Sequence, residues 1–357
     1  MHKQHNRLTA LDGMRGIFAF LVMCFHFSAD PRYDPLSLTN NFLFRQSFVF
    51  VDFFFVLSGF VIAYNYLARI KSGAAFKDYL IKRFIRLYPL LLWSVLVYVP
   101  LKLYGIYVGF EFNDEVYGYA ELVKETLDSL LFMNSTPILG STEAMNPVSW
   151  SISAEMIAYL TFGALLVLFR KQPIKALLVL WLALLVFFLV HQNMTEAGRY
   201  GFLRGLFGFT GGVLVFELYQ RYPAKWDWAE WPYMIVLLAL IYLVDMGLHP
   251  LTMLGLTLWF GMGVFIFSRS RGSLSRALDT KPFQFLGRIS YSFYLNHYFV
   301  LWLVYYLLWN LVGLPPTHLT VIVSFLIVTV TTLVYSQFTY TLIEKRMGFW
   351  LKSKWLK

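Results

Sequence analysis

The sequence predicts an all-α, polytopic integral membrane protein: about ten spans in one domain over 1–357, both termini cytoplasmic. Three observations carry this reading. Apolar residues fill 58% of the 357 positions and charged residues only 14%, with a mean hydropathy of +0.59. A soluble domain of that size needs far more polar surface. Apolar stretches long enough to cross a hydrocarbon core recur from end to end, and Lys and Arg gather in alternate connections between them.

In order, the expected spans are 11–29, 47–67, 88–109, 150–169, 174–191, 200–219, 232–248, 250–268, 289–313 and 318–342. The first follows MHKQHNR, as a signal sequence would, but Asp12 and Arg15 intrude and no clear small-residue cleavage site follows. It therefore reads as a retained helix. AFKDYLIKRFIRLYP (75–89) is basic and amphipathic and predicts a cytoplasmic helix ahead of the third span. Residues 111–147 form the one sizeable outer loop, in which YAELVKETLDSLLFM predicts a short surface helix. The closing EKRMGFWLKSKWLK predicts a tail along the anionic inner leaflet, with no room for a fused extracytoplasmic hydrolase-like domain.

The net charge of +10 suggests nucleic acid at first, but its distribution argues for topology instead. Of the 30 Lys and Arg, 24 fall in six clusters: Lys3 to Arg15, Arg69 to Arg86, Arg170 to Lys175, Arg221 with Lys225, Arg269 to Arg288, and Lys345 to Lys357. The intervening loops are poor in base, and 111–128 carries Glu111, Asp114, Glu115, Glu121, Glu125 and Asp128. That alternation is the positive-inside pattern. Cys24 is the only cysteine, so neither an internal disulfide nor a cysteine-rich metal site is available, and no metal is expected.

Ionisable groups inside a bilayer are expensive and point to function. Arg15 and His26, eleven residues apart, return to one face of the first helix within ~20° and lie about 16 Å apart along it. A neutral imidazole can take a proton from a hydroxyl, so His26 is a candidate general base; the bland alternative is that the pair marks the two ends of the span. In VDFFFVLSGF, Asp52 needs a partner, either a substrate group or a neighbouring helix's arginine. Arg83 and Arg86, at i and i+3, suit a phosphorylated ligand from the cytosol, although anchoring at the inner surface explains them too. Trp150 and Glu155 in SWSISAE suit a sugar, by stacking and by accepting hydroxyl hydrogen bonds; interface anchoring explains Trp150 as well, but not Glu155. In GRISYSFYLNH, Ser290, Tyr294 and His297 fall at i, i+4 and i+7 and line one polar stripe, which serves either ligand or interhelical contact.

Together and in this order, LDGMRG with Arg15-x10-His26, VDFFFVLSGF, the RxxRxYP run at 83–89, SWSISAE, GRISYSFYLNH and IEKR at 343–346 resemble the acyltransferase-3 family of membrane O-acyltransferases. The resemblance covers nearly the whole chain. It implies about ten spans, acetyl-CoA from the cytosol as acyl donor, and a hydroxyl of a surface or exported glycan as acceptor, in the bacterial inner membrane. It makes His26 the leading catalytic residue with Arg15 as its partner. Arg15, Arg83 and Arg86 would then hold the donor's phosphates, Trp150, Glu155 and His297 would stand on the acceptor side, and Asp52 and Tyr294 would either join them there or orient His26. Asn296 departs from the aromatic residue frequent before that histidine, which bears on the acceptor pocket. Direct transfer and an acyl-histidine route both stay open. The rival class is a transporter or flippase of a lipid-linked sugar, for which no internal repeat speaks.

Overall fold

The computed structural model describes residues 8–108, 118–139, 144–191, 194, 196–247 and 249–356, and among them every regular element is helical. The Lys3, Arg7 and Lys357 members of the basic clusters, and Glu111, Asp114 and Glu115 of the acidic loop, lie outside the described residues. In chain order the helices are α1 (Thr9–Ala29), α2 (Phe42–Arg45), α3 (Phe50–Tyr66), α4 (Gly73–Val108), α5 (Tyr119–Leu130), α6 (Trp150–Leu168), α7 (Pro173–His191), α8 (Ala197–Arg221), α9 (Glu230–Asp245), α10 (His249–Phe267), α11 (Ser273–Leu278), α12 (Lys281–Tyr305), α13 (His318–Thr339) and α14 (Gly348–Trp355).

Eight helical stretches among the described residues are long and apolar enough to cross a membrane. Two of the ten expected spans fall outside that set. One is α10, whose apolar part is Leu251–Phe267. The other is α12, which carries Ser290, Ser292, Asn296 and His297 on buried surface. A helix enclosed by other helices does not need the uniform apolarity that lipid demands of one facing it. At the periphery, α7 buries only Leu177, Leu184 and Phe188.

Two boundaries differ from the sequence reading. The expected cytoplasmic helix 75–89 and the third span are one helix, α4, running through Pro89 and Pro100. Proline is tolerated in a membrane helix packed among neighbours, and beside Pro89 the Tyr291 hydroxyl donates to the Leu87 carbonyl at 2.8 Å and ties α4 to α12. The last span does not stop at 342 either. A π-helical segment, Tyr340–Met347, joins α13 to α14, which carries the helix on to Trp355.

Close backbone approach fixes the centre of the bundle. A Cβ on Gly16 would lie 2.6 Å from the Gly287 nitrogen, and one on Gly287 would lie 2.1 Å from the Asp12 carbonyl oxygen. Glycine is therefore required where α1 crosses α12, as small residues commonly are at membrane helix crossings. This crossing accounts for Gly16 of LDGMRG and Gly287 of GRISYSF, and it sets the arginine of the first motif against the backbone of the second.

Candidate active site

Three arginines, each from a basic motif, converge on one cavity of about 230 Å³ between α1, α3, α4, α6 and α12. Arg15 reaches α12, donating from Nε to Ser290 Oγ at 2.8 Å and from Nη2 to the Gly287 carbonyl at 2.6 Å. Arg83 donates to the Tyr66 hydroxyl at 3.1 Å and lies over the Tyr66 ring, 5.1 Å from its centroid. Its Nε is buried with no hydrogen-bond partner. Arg86 pairs with Glu344 of the π segment and lies over the Tyr291 ring. Glu344 is also held by Ser292 Oγ at 3.0 Å, so the arginine is braced from two helices.

The same cavity is lined by Glu155, Ser58, Tyr159 and Tyr294. Glu155 accepts from Ser58 Oγ at 2.6 Å and from the Tyr159 hydroxyl. The Tyr294 hydroxyl donates to the Val148 carbonyl at 3.1 Å and accepts from Ser151 Oγ at 3.0 Å. The cavity is thus cationic at one end, where the basic motifs enter, and ringed by hydroxyls and one carboxylate further in.

His26 does not line this cavity. It lies beyond it on α1, half-buried, with ring contacts to Phe25 and Tyr298. Its Nδ1 is 3.0 Å from the Val22 carbonyl oxygen and 3.1 Å from Nε2 of the fully buried His297. A carbonyl only accepts, so the proton belongs on Nδ1 and the lone pair on Nε2. Between these imidazoles and the cavity stands one aromatic layer. The Tyr294 ring lies 5.9 Å from the His297 ring and 6.0 Å from Phe54, and both Tyr294 and Phe54 line the cavity.

The structure brings Arg15, Arg83, Arg86, Glu155 and Tyr294 together and joins His26 to His297, but it puts Asp52 and Trp150 elsewhere. The Asp52 carboxylate is fully buried and forked by Arg204, with Nε to Oδ1 at 2.7 Å and Nη2 to Oδ2 at 2.9 Å. Trp150 lies over that guanidinium, 5.5 Å from ring centroid to Arg204 Cζ, and neither residue lines the cavity. Sequence reasoning did not single out Arg204 or Glu344. The signals were there: an arginine inside an apolar span, and the one acid in a basic tail. Among the described residues no cluster of three or more His, Cys, Asp or Glu converges as a metal site.

Comparison with known proteins agrees with the motifs. The acyltransferase domain model of the acyltransferase-3 family matches residues 8–340. Protein 2 in the picA locus of Rhizobium radiobacter is 29% identical over 190 residues, 50% of this chain and 94% of that protein. Acyltransferase MdmB of Streptomyces mycarofaciens is 28% identical over 173 residues, 48% of this chain and 42% of that protein. No solved structure matches the chain. With a family match over nearly its whole length and a bundle of apolar spanning helices around it, the chain belongs to the acyltransferase-3 family and is an integral membrane acyltransferase.

Proposed function

We propose that the protein moves an acetyl group from cytosolic acetyl-CoA to a hydroxyl of a surface or exported glycan, in a bacterial cytoplasmic membrane. The observation that carries this reading is the convergence of Arg15, Arg83 and Arg86 on one cavity that ends an aromatic layer below the His26–His297 pair. Guanidinium forks match phosphate oxygens, so the cationic end suits the donor's pyrophosphate and 3′-phosphate. The thin pantetheine arm then points toward Tyr294 and Phe54. These rings must turn aside for the thioester to meet His26.

In the transfer, Nε2 of His26 takes the proton of the acceptor hydroxyl as its oxygen attacks the thioester carbonyl. The carbon–sulfur bond breaks, and the coenzyme leaves as thiolate and recovers the proton from His26. His297 holds the Nδ1 side of the ring, which keeps the lone pair on Nε2. Arg15 locks α1 to α12 and so fixes where His26 stands relative to His297. Glu155 and Tyr294 face the inner chamber, where hydrogen bonds to the acyl arm or the acceptor are available. Asp52, Trp150 and Arg204 support the chamber from outside as one packed cluster.

The test is acetyl transfer from radiolabelled acetyl-CoA into glycan by the purified protein in lipid. His26→Ala should lower turnover by about 10²–10⁴-fold while the protein stays folded. Arg83→Ala with Arg86→Ala should raise the KM for acetyl-CoA. Full activity of the histidine variant, or unchanged donor affinity in the arginine variant, would remove the corresponding assignment. Glycan translocation without label transfer would favour the flippase reading.

A further inference from the structure

A second cavity, larger than the first at about 370 Å³ and sharing no lining residue with it, opens where α8, α10 and α11 meet the beginning of α1. Lys225, Arg269, Arg271 and Arg276 line it, against one acid, Asp279. Asp227 stands beside them, but its Oδ1 is occupied by the Arg271 N–H at 2.8 Å and the Ser270 hydroxyl at 3.0 Å. Behind the wall the buried Glu230 carboxylate accepts from the hydroxyls of the lining Ser270 and Ser275, and with all three acids counted the four bases still leave an excess of positive charge.

The positive-inside pattern explains why bases collect on this side of the bundle, but it does not explain their arrangement. All four line one concavity, although Lys225, Arg271 and Arg276 are also exposed to water, and two of the guanidiniums are held in place. Arg269 lies over the Tyr219 ring, 3.6 Å from Cζ to centroid, with Nη1 donating to the Tyr222 carbonyl at 2.5 Å. Arg276 Nη1 is tied to the Arg271 carbonyl at 2.8 Å. Each guanidinium spends only part of its five donors on these bonds, and a planar fork oriented beforehand loses little entropy when it takes up an anion. Depth supplies the other clue. Trp228 and Trp231, on the stretch that follows Lys225, are 71% and 57% exposed, and indoles so placed sit at headgroup level.

We propose that this cavity is a phosphate site at the membrane surface, filled by the headgroup of an anionic phospholipid. Basic pockets between membrane helices are suited to such headgroups, and a volume above 300 Å³ is that of a small-molecule site. The site lies outside the arginine cavity and does not depend on the donor or acceptor assigned above.

The experiment uses the full chain in nanodiscs of phosphatidylcholine alone, phosphatidylcholine with phosphatidylglycerol, and phosphatidylcholine with added inorganic pyrophosphate. Thermal unfolding and native mass spectrometry of retained lipid are the readouts. Phosphatidylglycerol should raise the unfolding temperature and remain bound. Arg269→Gln with Arg276→Gln should abolish the shift and cut retention at least fivefold. Lys225→Gln with Arg271→Gln, at exposed positions, keeps the test valid if the first pair does not fold. Stabilisation by pyrophosphate in neutral discs, lost in the same variants, would assign the site to a soluble phosphoanion and overturn the lipid. Equal retention by wild type and variants, or no shift with either anion, would overturn the phosphate site itself.

Discussion

At the scale of single residues, the deciding facts are partnerships. A histidine in a membrane helix is ambiguous until its neighbours are known, and His26 has its Nδ1 occupied by a carbonyl and by His297. If His297 orients the base, His297→Ala should lower kcat by about tenfold, the worth of one hydrogen bond, with the acetyl-CoA KM unchanged. His297→Gln keeps an acceptor toward Nδ1 and should recover most of the loss. Equal defects in both variants would make His297 a packing residue. Asp52 carries the opposite expectation. Removing one partner of a buried ion pair strands the other charge, so Asp52→Ala should destabilise the protein by roughly 3–5 kcal/mol in denaturant unfolding, and Asp52→Leu with Arg204→Met should recover much of it. A full-stability Asp52→Ala protein would contradict the pairing. The sequence made Asp52 legible as a carboxylate in need of a partner but not as to which one, because Arg204 lies 152 residues away and only the packing of α3 on α8 joins them.

For whole helices, glycine contacts decide the geometry. Gly287→Ala puts a methyl group into the Asp12 backbone, so it should cost roughly 1–3 kcal/mol and abolish transfer by prising α12 from α1. Gly348→Ala meets nothing within 4 Å and should leave thermal unfolding unchanged or slightly improved. Scanning calorimetry of the pair checks both. The spans were largely legible from apolar run length: α1, α6, α7 and α10 agree with the expected segments to within about two residues. What run length cannot show is continuity through a proline or past a charge. Arg83 and Arg86 looked like part of a separate surface helix because Pro89 and the basic residues suggested an end. Glu344 looked like part of a solvated tail because the π turns that rotate it onto Arg86 leave no mark in composition.

At the scale of the molecule, the basic clusters predict that the 170–175 connection is cytoplasmic and that the loop preceding α6 is external. In a Cys24→Ala background, a membrane-impermeant maleimide on intact cells should label Tyr119→Cys and spare Lys171→Cys, both at exposed positions. The opposite labelling would invert the orientation. A mean over the whole chain is enough to read "membrane protein", and the ordered motifs are enough to read "acyltransferase". The way the motifs meet was hidden, because six short stretches spread over more than 300 residues share a centre only once the bundle closes.

One feature of that centre reaches beyond chemistry. Phe54 and Tyr294 stand between the arginine cavity and the paired imidazoles. An open aqueous bore there would short-circuit the membrane potential, which is worth about 2.3 kcal/mol per elementary charge at 100 mV. On the proposed route the acyl arm must pass this point, and the packing of Phe54 on Tyr294 puts an aromatic seal there in place of an aqueous bore.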